Sequence, residues 1–238
     1  MQISIMTYNL LFHEAFSGIK TLLETYKPDI ACFQEMETDE KDFEELEEIG
    51  YKLADYSNSF IRAGKVYCVA TFYKAEKIIV KESECITLPR SFYEVLLFLL
   101  RGNHEPRTVL KADFLFENNK VLTQYNLHLT ALATNRARAK QLVHTLEDLK
   151  LNNKEHVIIS GDYNYPYGRK KFEELIQQYQ LEEATNTVDF TFQRKFLKLF
   201  SVKLKDDYVL YKNIKLIETK KIDVPYSDHY PILSTFDL

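Results

Sequence analysis

An α/β/β/α sandwich, two mixed sheets packed face to face with helices outside, is the fold class that this chain's order of elements predicts. Three observations carry it. Apolar runs of strand length alternate with segments of helical periodicity from the first residues onward, the middle of the chain is richer in strands, and each strand-rich half has its own amphipathic helices. A sheet with helices on one face must bury its other face, and a second sheet is the partner at hand.

Ile3 to Tyr8 reads as a buried strand. Ile19, Leu22, Leu23 and Tyr26 recur at helical spacing, and Pro28 closes that helix before Ile30 to Phe33 resumes as strand. An acidic helix, Lys41 to Ile49, ends at Gly50; the acids from Glu37 to Glu48 read as a solvated face. Strands follow at Tyr51 to Tyr56, Val66 to Tyr73, Ile78 to Ser83, Val109 to Phe116 and Val121 to Leu127. The last two are joined by Glu117-Asn118-Asn119-Lys120, a polar turn that suits a hairpin. Ser91 to Leu100 reads as a core-packing helix. Asn135 to Leu151 carries the clearest helical stripe (Ala139, Leu142, Val143, Leu146 and Leu149 or Leu151), which Asn152-Asn153 stops. Val157 to Ile159 then runs as a buried strand into Gly161. A helix at Lys171 to Tyr179 and strands at Tyr208 to Tyr211, Ile214 to Glu218 and Ile232 to Phe236 complete the order. With no repeat, no Gly/Ser-rich linker and no seam, 238 residues are expected to form one domain, 1–238.

A net charge of -4 argues against a protein that coats nucleic acid through bulk electrostatics, which needs a basic domain, but it leaves local contacts open. Cys32 and Cys68 sit in apolar runs, where small buried thiols are expected. The apolar run Val95 to Leu100 is far short of the ~20 residues that cross a bilayer, so no integral membrane segment is expected. Met1 to Met6 already reads as strand with no charged leader and apolar stretch before it, which makes a cytoplasmic location the default expectation.

Polar residues gather where the strands end. Glu35 follows the Ile30 to Phe33 strand and is the leading ligand for a hard divalent cation such as magnesium, which needs only one or two carboxylates besides water and phosphate. In Gly161-Asp162-Tyr163-Asn164, Asp162 carries charge while Asn164 can orient water or a phosphate oxygen. These residue types also favour ordinary turns. His128 ends a strand, where an imidazolium could donate to a phosphoryl oxygen. His229 has Asp228 beside it, but neighbours in an extended segment face opposite ways, so the acid that orients His229 must come from elsewhere. Asp207 is best placed, with Asp206 adjacent to it. Asp162 competes with His229 for the role of water-activating base.

Taken in order, Thr7-Tyr8-Asn9, Gln34-Glu35, Asn126-Leu127-His128-Leu129, Gly161-Asp162-Tyr163-Asn164, Asp207-Tyr208 and Ser227-Asp228-His229 resemble the endonuclease/exonuclease/phosphatase superfamily over nearly the whole chain. The resemblance implies a four-layered sandwich and magnesium- or manganese-dependent phosphoester cleavage by an activated water. It places Asn9, Glu35 and Asp228 on the metal side, Asp162 and Asn164 on water and phosphate, Asp207 and His229 as an acid–imidazole pair, and His128 as a phosphate-stabilising histidine. Arg107 resembles the family's arginine near the phosphate, able to form a bidentate contact, and Asn126 is expected on the substrate side with it. Leu11 and Tyr67 depart from the acids that AP endonuclease-like and deoxyribonuclease-I-like members carry, so no subfamily is assigned.

The residues constrain reaction type better than substrate. Lys170 and Lys171 follow the Asp162 turn, and Arg194, Lys195, Lys198, Lys203 and Lys205 interleave with Phe190, Phe192, Phe196 and Phe200. Three readings of this pattern stay open: a groove for single-stranded or terminal nucleic acid, a contact with an anionic membrane, and a strand-loop-strand with core aromatics and solvated lysines. The first makes the chain a phosphodiesterase on nucleic acid, a nuclease or DNA-end processor, with Lys170 and Lys171 on the substrate. The alternatives are hydrolysis of a small or lipid phosphoester, phosphatase- or sphingomyelinase-like, and a binding module without turnover.

Overall fold

Strand β1 (Gln2–Asn9), helix α1 (Phe16–Tyr26) and strand β2 (Ile30–Glu37) open the chain, followed by α2 (Glu40–Glu48), β3 (Tyr51–Arg62), β4 (Lys65–Lys74) and β5 (Ile78–Thr87). Next come β6 (Thr108–Phe116), β7 (Val121–His128), α3 (Asn135–Leu151), β8 (His156–Asp162), α4 (Arg169–Gln178) and β9 (Glu182–Glu183). The chain closes with β10 (Phe192–Phe196), β11 (Phe200–Leu204), β12 (Asp207–Lys212), β13 (Lys215–Lys221) and β14 (Ile232–Asp237). This computed structural model describes residues 1–90, 95, 107–131, 133–151, 154–196 and 200–238. Apart from Val95, the expected helix at Ser91 to Leu100 lies outside the described residues, as do Asn152, Asn153 and Lys198.

Two six-stranded sheets run β13-β14-β1-β2-β4-β3 and β5-β6-β7-β8-β12-β9. Each contains a parallel pair joined through a helix, β1-α1-β2 in the first and β7-α3-β8 in the second. The other pairings are antiparallel. The four layers follow from period-2 alternation. On β1, Ile3 and Ile5 pack with Ile30, Phe114, Ile158, Val209 and Phe236 between the sheets, whereas Met6 and Tyr8 turn to Leu22, Leu23 and Leu46 of the outer helices. On the far side, Tyr125, Leu127 and Ile159 of the second sheet pack against Leu142 and Leu146 of α3 and Phe172 and Ile176 of α4. The α3 stripe is rotated from the expected one: Gln141 and Thr145 are buried beside Leu142 and Leu146, and Val143 is only half-buried. Gln141 donates to the Pro89 carbonyl and accepts from the Thr130 amide, so its burial satisfies two backbone groups near the β7 end.

The α2 acids Glu44, Glu45, Glu47 and Glu48 are exposed, and Cys32 and Cys68 are buried free thiols, as their sequence surroundings suggest. The basic-aromatic stretch forms an antiparallel hairpin, β10-β11, separate from both main sheets. Among the described residues, no helix is long and apolar enough to cross a membrane.

Candidate active site

Strand register assembles the second sheet's contribution. His128 of β7 lies opposite Asp162 of β8, and Asp162 lies opposite Asp207 of β12. Cross-strand partners share a face, so one row across three strands presents an imidazole and two carboxylates. β7 and β8 reach this row at their carboxyl ends, where a parallel pair leaves a crevice for ligands. Gly161 lets them approach: its φ is 140°, and a Cβ there would run into the Leu127 carbonyl.

The first sheet answers with Asn9 at the end of β1 and Glu35 in β2. The β2-β4 register shifts between Phe33 and Met36, and Glu35 occupies that bulge at φ 56°. Facing it, Leu11, Phe12 and His13 take three consecutive positive φ angles, of 49°, 52° and 70°. This costly conformation for side-chain-bearing residues turns two backbone amides toward the site. Leu11 N–H donates to Asn9 Oδ1 at 3.0 Å, and Phe12 N–H donates to Glu35 Oε2 at 2.8 Å. Asn9 Nδ2 then spans the two sheets, donating to Asp162 Oδ2 at 2.9 Å.

The two histidines are held differently. Asp207 Oδ2 lies 2.8 Å from His229 Nδ1, so Asp207 and not Asp206 orients this ring. Thr191 Oγ1 accepts from the Asp207 amide, the Phe192 ring packs edge-on against His229 at 5.0 Å, and Ser227 ties the His229 amide to the Asn9 carbonyl. Burial alone would push His229 down, but the Asp207, Asp162 and Asp228 carboxylates outweigh it and raise its pKa to about 10. His229 is therefore an imidazolium at neutral pH. Its Nε2 lies 3.9 Å from Asp162 Oδ2.

His128 is the opposite case. Burial, then the charges of Arg107 and His229, hold its pKa well below the usual imidazole range. It is neutral, in place of the imidazolium the sequence suggested. Arg107 Nη1 donates to His128 Nδ1 at 3.0 Å, and a guanidinium only donates. The ring proton is thus on Nε2, which lies 3.6 Å from both Glu35 Oε1 and Asp162 Oδ2. Arg107 also donates to Ser59 Oγ and rests over the Phe60 ring.

The carboxylates carry the electrostatic tension. Burial raises Asp162 well above the carboxylate range; His229 offsets this in part, while Asp207 and Asp206 add to it. Burial likewise raises Glu35 against the pull of Arg107 and the Phe12 amide, and raises Asp228 against His229 and Arg194. Asp206 is pushed to about 6 by burial and by Asp207. Oδ1 of Asp207 and of Asp228 is buried without a hydrogen-bond partner among the described residues. Crowded carboxylate oxygens, some unpartnered and most resisting ionisation, make a donor set suited to a hard divalent cation. Asp162, Asp207 and His229 also bring ligand atoms within 4.8 Å of one another. Within that trio, the His229 Nδ1 to Asp207 hydrogen bond and the ring's positive charge make an acid–imidazole pair.

Of the remaining sequence candidates, Asn164 reaches this centre, and Asn126, Lys170 and Lys171 lie apart from it. Asn126 is fully buried: it accepts from Gln34 Nε2 at 2.8 Å and donates to the Ala70 carbonyl at 2.9 Å, linking the two sheets beneath the site. Asn164, at φ 49°, donates its amide N–H to Asp162 Oδ1 and its side chain to the Leu129 carbonyl, which fixes the Asp162 carboxylate. Lys170 and Lys171 are exposed on the first turn of α4. A groove of about 550 Å³ with little signature in the sequence lies beside Asp228, lined among others by Phe12, Arg62, Gln193, Arg194 and Tyr230. Only the basic-aromatic interleaving around Arg194 hinted at it; nothing in the sequence singled out Arg62.

Two mixed sheets flanked by helices, with amides, carboxylates and imidazoles converging at one edge, define a class of phosphoester hydrolases. The family model described as Endonuclease/Exonuclease/phosphatase family matches residues 6–229, and the chain belongs to this family. Its sequence is 23% identical over 133 residues to a UPF0294 protein of Vibrio campbellii, covering 56% of this chain and 46% of that one, so the chain spans about half the length of this curated relative. In fold it is similar to D. rerio TDP2 complexed with a single-strand DNA product, with a TM-score of 0.73, 17% identity, and 100% of this chain and 99% of that one covered. It is also similar to the mannosyl-6-phosphatase Bt3783 of Bacteroides thetaiotaomicron, with a TM-score of 0.72, 15% identity, and 99% and 100% covered. At these identities the likeness is one of fold.

Proposed function

We propose that this chain is a single-domain, magnesium- or manganese-dependent phosphodiesterase that hydrolyses nucleic acid with an activated water. The observation that carries the reading is the row His128, Asp162, Asp207, closed from the other sheet by Asn9, Glu35 and His229. Glu35, with Asn9 beside it and Asp228 as a further carboxylate, would hold the cation, which when bound supplies Lewis-acid polarisation of a phosphoryl oxygen and neutralises charge as the ester breaks.

The chain's own residues divide the rest of the work. Asp162, whose two oxygens are fixed by donors from Asn9 and Asn164, takes the proton of the attacking water. The water oxygen forms a bond to phosphorus as the bond to the leaving oxygen breaks. His229, kept charged by Asp207, donates from Nε2 to a phosphoryl oxygen, and neutral His128 donates from its own Nε2. Of the two candidates for base that the sequence offered, this reading takes Asp162, because a ring already protonated at neutral pH donates. Arginines and aromatic rings along the Asp228 groove support a polymeric substrate over a small or lipid phosphoester.

The test is hydrolysis of a chromogenic phosphodiester by the purified chain with magnesium or with a chelator. Turnover that needs the metal is expected. Absence of metal-dependent turnover on this ester, on single- and double-stranded DNA and on RNA would favour a binding module.

A further inference from the structure

The groove beside Asp228 has two cationic banks. Arg62 stands at the end of β3, at the tip of the β3-β4 hairpin, and Arg194 lies on β10 of the β10-β11 hairpin. The Arg62 guanidinium stacks on the Phe12 ring at 3.7 Å from its centroid. Phe12 is itself fixed from below: its ring meets Phe60 and Tyr67 edge-on, and its amide holds Glu35. A guanidinium laid flat on a ring keeps its N–H edges directed outward and loses less freedom when it grips an oxyanion. On the other bank, the Arg194 charge bears on Asp228, so it stands close to the metal-side acid.

From this arrangement we infer that Arg62 and Arg194 form a subsite for a second phosphate, that of the nucleotide adjoining the scissile bond in a single-stranded nucleic acid. The inference rests on the phosphodiesterase reading and narrows it to substrates with at least two phosphates. The scissile phosphate already has His128, His229 and the cation that Glu35 would hold in the buried centre. Two further arginines in an adjacent groove are surplus for a monoester and fit the next charge along a strand. Gln193 and Tyr230, hydrogen-bonded to each other at 2.9 Å, line the groove near Arg194 and offer a ring for the intervening nucleoside.

The test compares kcat/KM for a short single-stranded oligodeoxynucleotide with that for a chromogenic diester bearing one phosphate, in wild type, Arg62→Gln and Arg194→Gln. Each variant should lower the oligonucleotide-to-diester ratio on the order of tenfold, the effect of one lost charge-assisted contact. Arg62→Lys should recover only part, because it restores charge without the planar fork. In a second measurement, oligonucleotide binding in chelator should lose salt dependence by roughly one phosphate contact per variant. An unchanged ratio together with an unchanged salt slope overturns the subsite. Hydrolysis of neither substrate by wild type overturns the enzymatic reading instead, and the binding arm still decides whether the arginines hold a second phosphate.

Discussion

Replacing Asp207 with asparagine keeps the shape beside His229 and removes the charge that sustains the imidazolium. The carboxylate contacts Nδ1 at 2.8 Å, and both groups are buried. With charge centres ~4 Å apart and an effective dielectric of about 20, the lost attraction is about 4 kcal/mol, equivalent to about three pH units in the His229 midpoint. Since that midpoint stands at about 10 in the native protein, Asp207→Asn should bring it down toward the physiological range. NMR titration of the His229 ring in chelator measures this directly. The sign of the stability effect follows: a raised histidine pKa contributes stability that is present below the ordinary value of 6.5 and lost as pH rises through about 10. Asp207→Asn should therefore reduce stability most at neutral and acidic pH. Turnover should fall by roughly 10² or more, increasingly so above neutrality, where the variant ring loses its proton. With His229→Ala, the double variant should be little worse than either single one. An unmoved midpoint, or a larger effect from Asp206→Asn, would refute the pairing.

Glu35→Gln removes a buried carboxylate that burial already disfavours; calorimetry should show at least about tenfold weaker magnesium or manganese binding, of the order of one lost charged ligand, with no fall in the metal-free melting temperature. Gly18→Ala places a Cβ 2.7 Å from Tyr226 Cγ, in the loop that carries Asp228 and His229. This overpacking should cost about 1–3 kcal/mol in urea unfolding and lower kcat through the displaced loop; equal stability would show that Tyr226 moves aside freely. Glu183 is nearly buried and pairs with both Arg169 and Lys205. Burial raises its pKa but the two cations lower it further, so its contribution to stability is present above the ordinary carboxylate range and lost as pH falls through the depressed value. Glu183→Gln should destabilise by roughly 1–3 kcal/mol, between exposed and fully buried pairs, with the difference from wild type closing on acidification.

Elements whose cause is local were legible in the chain. Pro28 and Gly50 stop helices where expected, Glu117 to Lys120 turns a hairpin, and the α3 span follows from its apolar stripe and the asparagines after it. The sequence pointed to Asp207 as the partner of His229 with Asp206 beside it; the 2.8 Å contact to His229 Nδ1, and the register that sets Asp207 opposite Asp162, decide between the two. Left-handed backbone at Leu11, Phe12, His13 and Glu35 left no trace, because none of these is a glycine and the strain is held by tertiary contacts. Nor was the protonation of the histidines visible. His128 and His229 end similar motifs, yet a guanidinium faces one ring and a carboxylate the other.

In the proposed reaction, water activated at Asp162 attacks a phosphodiester in a metal-dependent step. Single-turnover cleavage of an oligonucleotide in ¹⁸O-labelled water measures it most directly. Wild type with magnesium should place one labelled oxygen on each product phosphate; chelator should abolish the reaction, and Asp162→Asn should slow it by ~10² to 10⁴. Cleavage without label in the phosphate, or label incorporated at the wild-type rate by Asp162→Asn, would contradict the account.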